Sequence, residues 1–204
     1  MRGRAELQAR ERSVTPVLTA LRHATRARHE ALEVDADIEA RLRDVGTRPD
    51  MVTRFLDLHE RAEAVTAGHL GGIRALGCSL PGRSVLIRAD LVRLGVTPPA
   101  PVALTSAVTL GEALGWLYVI EGSMLGGRVM RRSMTADGID QLGLEFLDPC
   151  GQDTGRRWRA FLAGMEAACA SGQARCEDVV IGAQRAFDLA ARLLVAVPTM
   201  RMSA

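Results

Sequence analysis

Apolar residues in this chain recur at intervals of three, four and seven, and no stretch alternates apolar with polar residues. Residues spaced that way share one face of an α-helix, whereas a half-buried strand needs a period of two. Leu18, Leu21, Thr25 and Leu32 form one such stripe, and Phe55, Leu58, Ala62 and Val65 form another. Leu86, Ile87, Asp90, Leu91 and Leu94 form a third. With no hairpin dipeptide and no internal repeat, the pattern predicts an all-α fold.

Punctuation residues set the expected boundaries. Thr15-Pro16 predicts a capped helix start, with proline where its missing N–H costs nothing. A break at Gly46 and Pro49 precedes the second helix, which frays into Gly68, Gly71 and Gly72. Gly95 closes the third, and TPPAP at 97–101 reads as a rigid connector, because neither side of it carries an independent core. The longest helical segment is expected over about 105–134, interrupted by Gly122, Gly126 and Gly127. A loop rich in Gly, Asp and Pro follows, then helices near 153–171 and 176–197. Residues 1–14 read as a charged, flexible arm and 15–204 as one domain, for which 48% apolar content suffices.

Charge and composition narrow the function. The balance of 26 basic and 24 acidic residues lacks the cationic stripe of a nucleic-acid binder, and 3% aromatics are too few for base-stacking platforms. No run of eighteen apolar residues exists, and the N-terminus is charged where a signal peptide would be apolar, so a cytoplasmic protein without a membrane anchor is expected. Cys78, Cys150, Cys169 and Cys176 form no CxxC pair and read as free thiols. All the basic residues are arginine, so every cation keeps its charge at any relevant pH. His59 with Glu60 and Glu63 gives no HExxH, and His23, His59 and His69 read as structural or surface residues.

Two segments carry candidate chemistry. His29 falls on the first helical stripe, where a histidine is either a hydrogen-bonded packing residue or a ligand. Arg22 lies seven residues earlier, about 20° round the helix and roughly 10 Å along it. An imidazole with a fixed cation at that spacing suits ligation of a haem iron and pairing with a propionate; the alternative for Arg22 is a solvated face. The second segment is GWLYVIEGSMLGGRVMRR, residues 115–132. Three glycines within six helical residues cost roughly 2–3 kcal/mol relative to alanine, so something must offset them. Gly122 and Gly126 are four apart and share a face of bare backbone. That face suits either a close helix crossing or a flat ligand lying directly on the helix.

Together the two segments resemble a known family. LRHATRARHEALE at 21–33 is similar to the proximal-helix signature of haem oxygenases, and LYVIEGSMLGG at 117–127 to the distal-helix signature of their bacterial branch. The resemblance implies a single-domain helical bundle with haem sandwiched between a proximal and a kinked, glycine-rich distal helix. It implies His29 as proximal iron ligand, Arg22 and Tyr118 as propionate partners, and Arg159 as a further propionate candidate. Gly122 and Gly126 would press the distal backbone over the iron and steer bound oxygen. Ser123, where many members carry aspartate, would hold a water but carry no charge. The activity implied is oxidative cleavage of haem to biliverdin, CO and ferrous iron, with haem as substrate and prosthetic group, O₂, and an external electron donor. Arg131 and Arg132, beyond Arg128, would meet that donor, a ferredoxin or flavoprotein reductase. A monomer is expected, and the resemblance implies a functional link to a bacteriophytochrome as one setting for it. Two other readings remain: a non-catalytic haem- or gas-binding sensor on the same scaffold, and a related bundle such as a pyrimidine-degrading enzyme. The latter needs a nucleophilic cysteine facing the pocket, and none lies in either segment.

Overall fold

The computed structural model describes residues 16–76, 82–101 and 108–195, so the charged arm, the Thr15 cap and Cys78 lie outside the described residues. Among those described the chain is helical throughout: α1 Pro16–Ala36, α2 Ile38–Arg43, α3 Arg48–Ala67, α4 Leu70–Ala75, α5 Arg83–Arg93, α6 Leu110–Ala136, α7 Thr154–Ala170 and α8 Cys176–Leu194. Two 3₁₀ turns, Glu145–Leu147 and Gly151–Asp153, punctuate the α6–α7 loop. No described helix is long and apolar enough to cross a membrane.

The expected stripes are the buried ones. Val17, Leu18, Leu21 and Thr25 are buried along α1, and the Thr25 hydroxyl is satisfied by donating to the Leu21 carbonyl at 2.7 Å. Phe55, Leu58 and Ala62 are buried along α3, which has Pro49 in its first turn. α5 ends as Gly95 predicts. Its φ of +76° lets the Gly95 N–H reach the Val92 carbonyl at 3.0 Å and the Val96 N–H reach Leu91 at 2.9 Å, satisfying two terminal carbonyls. The two six-residue helices α2 and α4 were not expected, since so short a helix makes no readable period.

α6 starts later than the sequence pattern suggested, at a reciprocal cap. The Thr109 hydroxyl accepts from the Glu112 N–H at 3.1 Å, and the Glu112 carboxylate accepts from the Thr109 N–H at 3.1 Å. The helix then runs without interruption through Gly122, Gly126 and Gly127, contrary to expectation. Other glycines explain how it is held. A Cβ at Gly115 would lie 2.1 Å from the Val179 carbonyl oxygen, and one at Gly182 of α8 would lie 2.1 Å from that of Glu112. α6 and α8 therefore cross backbone on backbone, and a Cβ at Gly127 would lie 2.5 Å from the Leu147 carbonyl oxygen.

α8 is the hub. It packs on both α1 and α6, which meet each other only marginally. Leu21, Leu114, Leu117, Phe161, Met165 and Val179 form a core where α1, α6, α7 and α8 meet. Met51, Phe55, Ile87, Trp116, Phe146 and Leu189 form another, joining α3, α5, α6 and α8. Along the second half of α6, Leu125, Gly126 and Val129 are exposed.

Candidate functional site

The candidate residues lie on α1 and α6, which Arg22 and Tyr118 link. His29 is exposed on α1, with 57% of its side chain accessible. Two neighbours hold its ring: Phe187 of α8 lies edge-on at 5.8 Å between centroids, and Glu33, one turn on, brings a carboxylate oxygen 3.5 Å from Nδ1. Next to it Arg28 donates to Asp188 at 2.8 Å, fixing α1 on α8. A carboxylate at Nδ1 leaves Nε2 for an incoming ligand.

Arg22, also exposed, lies close enough to the Tyr118 phenol of α6 to act on it through its charge and its N–H donors. Burial pushes the Tyr118 phenol above its ordinary pKa, and Arg22 opposes that shift. The Tyr118 ring packs on Trp158 of α7 at 5.5 Å, and Trp158 stacks on Phe161 at 5.7 Å. Trp158 also flanks Gly122, where a Cβ would touch the indole at 3.4 Å. Gly126 has nothing within 4 Å of where its Cβ would be. At about 100° per residue, Tyr118, Gly122, Leu125, Gly126 and Val129 share one face of α6. Leu125 is 37% exposed and Val129 68%. Leu125, Gly126 and Val129 of this strip thus lie open to solvent, while Trp158 covers its Tyr118–Gly122 end.

Beside that strip Ser123 is held from behind. Its hydroxyl donates to the Ile120 carbonyl at 2.8 Å and accepts from Arg83 Nη1 at 3.0 Å. Arg83, the first residue of α5, is 2% exposed, and its guanidinium also donates to the Ile120 and Phe146 carbonyls at 3.1 and 3.2 Å. Burial lowers the Arg83 pKa to about 10, against the attraction of Glu121, Cys150 and Glu63, so the group stays cationic at neutral pH. Burial likewise raises the Glu121 carboxyl, opposed by Arg157 and Arg83. His59 is fully buried next to Arg83, and burial, then that cation, pull its pKa well below the ordinary value.

The remaining candidates separate. Arg159 is exposed on α7 and lies back along its own helix, Nη1 being 3.6 Å from where a Gly155 Cβ would sit. Among the described residues no hydrogen bond or ion pair joins it to the Arg22–Tyr118 pair. Arg128 is committed to the α6–α7 loop, donating to the Gly151 carbonyl and lying 3.9 Å from Asp148. Arg131 and Arg132 instead line a shallow open depression with Thr135, Ala136 and Asp148. Of the other histidines, His23 is exposed and His69 bonds the Val108 carbonyl through Nε2 at 2.7 Å, so they and buried His59 are surface or structural as expected. Sequence reasoning missed Glu33, Trp158, Phe187 and Arg83. Glu33 alone carried a readable signal, its position one helical turn after His29.

Among the described residues no group of three His, Cys, Asp or Glu could hold a metal ion. A single accessible imidazole suits a metal whose other ligands arrive with it, as iron arrives in a porphyrin. The open strip of α6 suits the flat apolar ring, and Arg22 its carboxylates. The residues present therefore fit haem.

No protein-family model matches the chain. It is 38% identical over 109 residues to a heme oxygenase of Xanthomonas campestris, covering 50% of this chain and 60% of that protein. It is 33% identical over 90 residues to the heme oxygenase PigA of Pseudomonas aeruginosa, covering 43% of this chain and 46% of that protein. The matched stretch thus spans about half the length of these curated relatives. Over that stretch the chain is similar to two bacterial heme oxygenases, and its all-helical fold is consistent with that similarity.

Proposed function

We propose that this protein is a haem oxygenase that opens haem to biliverdin, CO and ferrous iron. The observation that carries the reading is the Arg22–Tyr118 pair at the head of an apolar strip on α6 that is exposed at Leu125, Gly126 and Val129, with accessible His29 on the helix that supplies Arg22. Haem is the substrate, and its iron, reduced by an external donor, supplies the centre at which dioxygen reacts.

The chain's own residues bind, orient and exclude. His29 ligates the iron through Nε2 while Glu33 and Phe187 fix its ring. Arg22, with Tyr118 beside it, pairs with a propionate and sets the rotation of the ring in its plane. Gly122 and Gly126 let the macrocycle approach the α6 backbone, and Leu125 and Val129 exclude water along the strip. Ser123 offers a lone pair to an ordered water. Arg131 and Arg132, which unlike Arg128 are not tied to the α6–α7 loop, are the contact for a ferredoxin or flavoprotein reductase. Arg159 is not needed for this arrangement.

The test is direct. Apoprotein mixed with hemin should give the Soret band of a histidine-ligated complex, and an electron donor in air should convert it to biliverdin. A protein without a Soret band is not a haem oxygenase. A stable oxygenated complex without bile pigment would instead identify a haem- or gas-binding protein on this scaffold.

A further inference from the structure

Arg83 is a cation buried at net electrostatic cost, since burial outweighs the attraction of every acidic neighbour. A buried ion is weak evidence of stabilisation, because an apolar side chain of similar size often serves the core as well. Its bonds converge on one place. Nη1 reaches the Ile120 carbonyl and the Ser123 hydroxyl, and Nη2 reaches the Phe146 carbonyl of the α6–α7 loop. The guanidinium thus braces one turn of α6, the turn that contains Gly122, against the loop and the start of α5.

The titratable groups around it come from the elements packed against it. α3 supplies Glu63 and neutral His59, α6 supplies Glu121, and the α6–α7 loop supplies Cys150. Glu63 is itself occupied, accepting from the Ser84 N–H at 2.9 Å and the Ser84 hydroxyl at 2.5 Å at the start of α5. Glu121 is nearly fully buried. Arg83 is therefore fixed by its surroundings and is not a mobile surface cation.

The bonding at Ser123 has a directional consequence. A hydroxyl has one donor and two acceptor positions. Here the proton goes to Ile120, and one lone pair is taken by Arg83. One acceptor position remains. Ser123 can thus receive a hydrogen bond from a water on the strip but cannot donate one to a bound ligand. Without Arg83 only the Ile120 bond would orient the hydroxyl, and both of its acceptor positions would be open.

We propose that Arg83 is a positioning residue: it braces the Ile120–Ser123 turn from behind and keeps the Ser123 hydroxyl an obligate acceptor beside the haem face. This role rests on the haem oxygenase reading. Arg83 touches neither substrate nor iron and acts through Ser123 and the height of the α6 backbone.

Three variants test it: Arg83→Lys keeps the charge without the fork, Arg83→Met removes both, and Ser123→Ala removes the surface acceptor while leaving the buried cation. In the apoproteins, amide exchange of the 120–124 segment should rise about tenfold or more in Arg83→Lys and stay near wild type in Ser123→Ala. In the hemin complexes, the pH-dependent Soret shift should move in Arg83→Lys and Ser123→Ala alike, and the biliverdin isomer distribution should change in Arg83→Lys. If Arg83→Met does not fold, Arg83→Lys and Ser123→Ala carry the test. Should wild type bind hemin and form biliverdin while both variants keep its exchange, Soret shift and isomer pattern, this role is wrong and the function stands. Should wild type give no Soret band, the function falls and the role with it.

Discussion

At Gly126 the demands of folding and of function point in opposite directions, which makes the residue informative. Nothing lies within 4 Å of where its Cβ would be, so alanine fits and should stabilise the apoprotein helix by up to about 1 kcal/mol. If the bare strip exists to receive a flat ligand, the same methyl group obstructs it. Gly126→Ala should therefore raise the apoprotein melting temperature while weakening hemin binding or slowing turnover; hemin titration beside thermal melts reads both. His29→Ala tests the opposite corner. Its side chain is more than half exposed, so apoprotein stability should change by no more than about 0.5 kcal/mol while the Soret band of a histidine-ligated complex disappears. A persistent histidine-type spectrum would remove His29 as the ligand. Both residues were legible in the sequence, as members of paired motifs at helical spacing. Arg83 was not, because a buried arginine and a solvated one look the same until the chain's path is known; Arg48, 1% exposed and donating to the Leu42 and Leu142 carbonyls, is a second case.

At the scale of elements, the chain's glycines divide into two sets that the sequence does not distinguish. The sequence pointed to Gly122 and Gly126 as either a helix crossing or a ligand surface. The crossing is real but lies elsewhere, at Gly115 on α6 and Gly182 on α8, where a Cβ would fall 2.1 Å from a backbone oxygen. Gly115→Ala or Gly182→Ala must push α6 and α8 apart, at a cost of about 1–3 kcal/mol or more. A clear drop in melting temperature checks this, and an unchanged one would mean the helices are not packed as described. That is the reverse of the Gly126→Ala outcome. Glycine spacing is local information, whereas the identity of the facing backbone depends on two helices some seventy residues apart. The start of α6 was legible and was overlooked: Thr109 to Glu112 is a capping box, and Thr109→Ala should cost about 1 kcal/mol. The trace of Ile38–Arg43 and Leu70–Ala75 was beyond periodicity, since neither helix completes two turns.

For the whole molecule, the buried polar cluster beneath α6 couples stability to pH through His59. Its imidazole is fully buried, and desolvation followed by the Arg83 cation lowers its pKa well below 6.5. In the unfolded chain the same group titrates near 6.5. Between those two values the unfolded state binds a proton that the folded state does not, so stability rises with pH across that interval and falls as the solution is acidified through about 6.5. The slope from this one group approaches about 1.4 kcal/mol per pH unit once the unfolded histidine is protonated. The difference between wild type and His59→Gln isolates the group from the carboxyls Asp90 and Glu121, whose pKa values burial raises and which the two proteins share. Denaturant melts from pH 7.5 down to 5.5 should give wild type a steeper loss of stability than His59→Gln, with the curves parallel above pH 7. Parallel curves over the whole range would mean that His59 is protonated in the folded state, and the cluster would then hold two adjacent cations. That result would also remove the electrostatic basis for a fixed Arg83, because a charged His59 beside it would repel the guanidinium that holds Ser123.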